Sequence, residues 1–153
     1  MVGLSLTCFL PLLAMQVCDP LGAGMKLKLL ALPIVSGTID IHANGQTRFL
    51  ASLKEFASAH GFEIEVEQLP MGIQCYSFNM LRDDVIVSGE SDFDSMNGHF
   101  NPLNYQFDVS RNYFKHDRPG LDAELRLVAE ALVRDFQAAL KDIAAVTLVP
   151  PKK

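Results

Sequence analysis

The sequence predicts an α+β fold, a two-layer sandwich in which a mainly antiparallel sheet of four to six strands is covered on one face by two helices. Three observations carry this. Residues 121–143 place Leu125, Val128, Leu132, Phe136, Leu140 and Ile143 at steps of three and four, which puts them on one helical face. Several shorter stretches instead alternate apolar with polar residues, the period of a strand with one wet face. A chain of 153 residues also suffices for one domain with a real core and not for two. The expected order is β-α-β-β-β-α with a possible last strand, forming a single domain over 25–153 behind a signal-like segment at 1–24.

That first segment carries no charge from Val2 to Val17 and ends in Cys18-Asp19-Pro20 and the small residues Gly22, Ala23 and Gly24. An uncharged core with Gly22 and Gly24 at the −3 and −1 positions of a cut before Met25 has the form of a secretory signal, although the positive leader is missing. Cys18 is a lipidation candidate of the bacterial lipoprotein type, with Val17 where a small residue is wanted. Met25-Lys26-Leu27-Lys28 and the apolar run 29–35 imitate a second signal; the alternatives, less favoured than export, are a cytosolic chain starting at Met25 and a buried strand or edge segment over 27–35. A retained single span is the least favoured reading, because the run is short and broken by proline.

Ile39 and Ile41 alternate with Thr38, Asp40 and His42, which predicts the first strand, and Asn44-Gly45 ends it. Phe49, Leu50, Leu53, Phe56 and Ala57 recur at helical spacing, and Gly61 stands where a left-handed C-cap is wanted, so 46–60 is the first helix. Phe62, Ile64 and Val66 then point inward against Glu63, Glu65 and Glu67. Pro70-Met71-Gly72 turns the chain into the β-prone runs 73–81 and 85–89 around Arg82-Asp83-Asp84. Leu103, Tyr105, Phe107 and Val109 alternate with Asn104, Gln106, Asp108 and Ser110 as another strand. In the long helix, Asp122 with Arg126 and Glu130 with Arg134 stand one turn apart with the acid first, the favourable orientation. Residues 146–149 form a short edge strand that Pro150-Pro151 stops. The order loosely resembles a ferredoxin-like arrangement with an extra strand, and the two strands flanking the first helix are expected to be neighbours across a crossover. That architecture hosts many activities and assigns none.

A net charge of −5 argues against a general nucleic-acid binder. Cys8, Cys18 and Cys75 match neither a zinc spacing nor an even disulfide framework. The run 91–101, with Asp92, Asp94, Asn97 and Gly98, superficially invites calcium. Counting from Asp92, however, Met96 occupies the fifth position, the glycine is one residue late and Leu103 replaces the bidentate acid, so a polar hairpin connection is expected. Asp40 and His42 beside Glu63, Glu65 or Glu67 would make a metal site or a basic-partner site if the strands adjoin. Ser91 lacks a nucleophile-elbow context, Cys75 sits in an apolar run with no activating base nearby, and Asp83 and Asp84 suit a hairpin cap. No catalytic residue, metal ligand or cofactor is assigned. The favoured contact surface is Arg111, Tyr113, Lys115 and Arg118, a basic and aromatic excess on an acidic chain.

These residues point to a small non-enzymatic envelope protein, exported and lipid-anchored if Cys18 is modified, that binds a protein or envelope component. The alternatives are a cytosolic inhibitor or immunity-type protein starting at Met25, with its acidic face on a basic partner, and a minor metal-dependent hydrolase using Asp40, His42 and the glutamates.

Overall fold

The computed structural model describes residues 33–70, 73–112 and 122–150. These form β1 (Pro33–Ile41), α1 (Gln46–Ala59), β2 (Glu63–Gln68), β3 (Tyr76–Leu81), β4 (Val85–Asp94), β5 (His99–Arg111), α2 (Asp122–Leu140) and β6 (Ala144–Val149). The strands make one antiparallel sheet in the order β2-β3-β4-β5-β1-β6. Both helices cover the same face, which is the α+β sandwich expected. Four strands rather than three lie between the helices, since the 73–81 and 85–89 runs are separate members of the meander.

The helices form for the reasons their sequences give. In α1, Phe49, Leu53, Phe56 and Ala57 are buried, and Gly61, at φ 70°, takes the left-handed conformation that turns the chain back. In α2, Leu125, Ala129, Leu132, Val133, Phe136 and Leu140 are buried, followed by Ile143 in the turn before β6. His60 Nε2 lies 3.4 Å from Asp135 Oδ2 and joins the two helices at the surface.

One row across the sheet explains its close packing. Val66, Phe78, Gly89, Phe107, Gly37 and Leu148 stand in register on successive strands. A side chain at Gly37 would overlap the Phe107 ring, and one at Gly89 would overlap Phe78. The rings therefore lie over their glycine neighbours, large against small, and Phe107 meets Phe136 of α2 edge-on at 5.8 Å.

Two expectations about strands are corrected. β1 begins at Pro33 and not at Thr38, so the end of the second signal-like run belongs to a strand with partners on both sides. β1 and β2 run the same way, but β5, β4 and β3 intervene, so the crossover through α1 joins strands that are not neighbours. The sheet face opposite the helices carries Glu63, Glu65, Glu67, Asp40 and Asp92 exposed, whereas Asn79, Ile86, Ser88 and Ser110 on the same face are buried.

Candidate binding surface

β4 and β5 run past the other strands. Residues 92–94 pair only with 99–101, because the β3 register on β4 stops at Glu90 and the β1 register on β5 stops at Asn104. A bulge starts this ribbon: Ser91 opposes Tyr105, yet Asp92 opposes Asn101. The chain bends there at Pro102, which has no N–H to give the ladder. Side chains hold the bend. Ser91 Oγ donates to the Asn101 carbonyl, Asn101 Nδ2 to Asn104 Oδ1 at 2.6 Å, and the Leu103 amide to Asn101 Oδ1 at 3.0 Å.

At the tip, the Gly98 amide donates to the Asp94 carbonyl at 2.8 Å with Gly98 at φ 71°. The Asp94 carboxylate accepts from the Asn97 side chain and from the Met96 amide at 2.9 Å, bonds that hold its carboxyl below the usual carboxylate value. These bonds turn Met96 fully outward, 95% exposed. Phe93 is 44% exposed and packs edge-on against Phe100 at 5.1 Å. The loop before β3 flanks the ribbon, since the buried Cys75 thiol lies 3.4 Å from the Phe100 carbonyl and 3.7 Å from that of Ile73. Gln74, at φ 59°, lies in the turn that leads into β3, and Ile73 beside it is 87% exposed.

The result is one end of the sheet at which Ile73, Phe93 and Met96 are all exposed, Phe93 on the helix side of the ribbon and the carboxylate of Asp92 on its outer side. Asp92 accepts from Gln106 Nε2 at 2.8 Å, and Asp40 accepts from Asn104 Nδ2 at 2.6 Å, so both are fixed on the outer face next to the ribbon. The sequence signal for this surface was Phe93, Met96 and Phe100 within a run otherwise made of Asp, Ser, Asn, Gly and His.

The other candidates separate. Asp40 and His42 belong to the β1 end of the sheet and Glu63, Glu65 and Glu67 to its far edge. Four strand spacings of about 4.8 Å put them about 19 Å apart. The His and carboxylate cluster is therefore not assembled, and among the described residues no group of three or more His, Cys, Asp or Glu side chains could hold a metal ion. The oxygens of Asp92 and Asp94 serve the hairpin. Ser91 and Cys75 are packed inside, and Asp84 forms a two-bond pair with Arg82 at 2.6 and 2.9 Å. Burial opposes ionisation of Asp84, but the Arg82 pair outweighs it and lowers its pKa. Asn112 ties the end of β5 to this turn, its side chain donating to the Arg82 carbonyl at 2.7 Å. Arg111 ends β5 opposite Val85, while Tyr113, Lys115, Arg118 and Cys18 lie outside the described residues.

Beneath the helices, a gap lined by Phe56, Val87, Phe107, Val109, Leu132, Val133 and Phe136 is wholly apolar and too small for a water molecule. It offers no polar group to a substrate. Among the described residues no helix is long and apolar enough to cross a membrane. No protein-family model matches the chain, and no curated protein matches it.

Proposed function

We propose that this chain is a non-enzymatic protein-binding module of the cell envelope that offers the β4–β5 tip to a basic partner. The observation that supports this reading is the conjunction at one end of the sheet of Ile73, Phe93 and Met96, exposed and apolar, with the exposed carboxylates of Asp40 and Asp92. An apolar anchor with a polar surround is the form of a protein contact. The carboxylates favour a cationic protein over anionic headgroups and give the association a salt dependence. Arg111, Tyr113, Lys115 and Arg118 remain the second candidate contact of the same module. Export rests on the 1–24 segment, since a cut beyond Pro33 would remove part of β1.

A photoreactive side chain at Met96, with a matching one at the exposed Leu127 of α2 as control, tests the contact in cells. The expected result is one salt-sensitive adduct from position 96 that Phe93→Ser removes while the fold is kept. Equal labelling from both positions would defeat the reading. Intact mass with N-terminal sequencing decides the compartment. A chain starting near Met25 and recovered from the periplasmic fraction, or one acylated at Cys18, supports the envelope module, whereas a Met25 start in the cytosol does not. An unprocessed cytosolic chain transfers the same acidic and apolar surface to the inhibitor reading.

A further inference from the structure

Among the described residues β6 closes one edge of the sheet, and no other strand of that set pairs with its outer side. The Ile143 carbonyl accepts from the His42 amide at 2.8 Å, and β6 continues in register from Ile41 opposite Ala144. In an antiparallel ladder the residues that bond to one neighbour alternate. Ala145, Thr147 and Val149 therefore turn their backbone groups to β1, while Ala144, Val146 and Leu148 turn theirs outward. A side chain from the helix layer agrees with this parity: Gln137 Nε2 donates to the outward carbonyl of Val146 at 3.0 Å.

We propose that β6 is the seam of a homodimer, two copies pairing edge to edge and antiparallel about a two-fold axis at Val146, with Gln137 as the latch that closes this edge in the monomer. The strand is complementary to itself. With Val146 on the axis, Ala144 meets Leu148 of the second copy and Ala145 meets Thr147, small against larger on both faces. The same alternation of small and large packs the Phe107 row inside the sheet. Leu148 and Val149 are 43% and 47% exposed in the single copy. Residues 144–149 carry no charge, so pairing brings no like charges together. Because the axis is normal to the sheet, both helix layers stay on one side and the sheet runs continuously through the pair. An extended apolar peptide would satisfy the backbone but not the self-complementary register.

The test is sedimentation of the full chain over a concentration series, with hydrogen exchange at the low and high ends. Wild type is expected to dimerise reversibly, with the Val146 and Leu148 amides slowed at high concentration and those of β2 unchanged. Leu148→Lys should weaken the dimer by about tenfold or more, since two cations would sit at the seam. Gln137→Ala should tighten it by about 25-fold, roughly fivefold for each copy, because neither copy then has an internal bond to exchange. A monomer at every concentration, or a dimer indifferent to both substitutions with protection elsewhere, would overturn the proposal. Should Leu148→Lys fail to fold, wild-type exchange and Gln137→Ala still decide it.

Discussion

The two edges of the sheet are guarded by different means. β2 shows three exposed glutamates at alternate positions, Glu63, Glu65 and Glu67, and its end is braced by Arg82, whose guanidinium lies 4.8 Å over the Phe62 ring and reaches the His60 carbonyl at 3.4 Å. A second copy of β2 would meet it with like charges, a common device against edge pairing. β6 has no charge at all and holds one outward carbonyl with one amide from Gln137. A ring of charge repels every partner of its own sign, whereas a single neutral hydrogen bond, worth about 1 kcal/mol net, only competes with one. The molecule thus has one edge closed by repulsion and one held shut by a weak bond.

The comparison assumes that both edges hang from one sheet, and a large perturbation at its centre tests that. Phe107 lies between Gly89 and Gly37 in the packed row and against Phe136, and it is 1% exposed. Phe107→Ala should cost roughly 3–5 kcal/mol, because neighbours held apart by glycines have no side chains with which to fill the space. Denaturant unfolding measures the loss, and native hydrogen exchange should show β2 and β6 loosening together. Loosening of β6 alone would divide the sheet into two units and break the comparison.

Much of this frame was legible in residue order. The apolar stripe of α2 from Leu125 to Ile143, the α1 stripe, and the alternations in β2 and β5 are local periodicities that burial then enforces. What escaped depends on tertiary neighbours. Ser36 and Gly37 do not look like the middle of a strand until Phe107 is seen to cover the glycine, so β1 was expected to start five residues late. The polar 92–94 and 99–101 segments match turn chemistry, and only their mutual pairing makes them a ribbon that raises Phe93 and Met96. The cluster of Asp40 and His42 with the β2 glutamates failed because adjacency was inferred from chain order, while three strands of meander were inserted between them. Nothing local to Gln137 or Val146 announces their bond.

A smaller effect separates the Arg82 brace from the glutamates on the same edge. The lowered pKa of Asp84 means that its folded carboxylate is favoured over its ordinary value of 3.8. Its contribution is present above that value and is lost as pH falls through the lower folded one. Arg82 and Asp84 are both partly exposed, so the contribution is about 1 kcal/mol or less. Asp84→Asn should lower stability by that amount near neutral pH and leave it unchanged once both forms are uncharged in acid. Parallel acid-denaturation curves for variant and wild type would remove the pair from the account of this edge.

The smallest change in monomer stability is expected from replacing Glu63, Glu65 and Glu67 together by threonine. Each side chain is exposed, and surface substitutions usually stay within about 0.5 kcal/mol; threonine also suits a strand. Solubility should respond far more than stability, because the substitution gives β2 the uncharged character of β6 without any equivalent of Gln137. Light scattering over a concentration series should then show open-ended association, each copy now having two adhesive edges, where wild type with one such edge stops at a pair. If the triple variant keeps the wild-type association behaviour, charge is not what closes β2, and the Arg82 brace must be sufficient by itself.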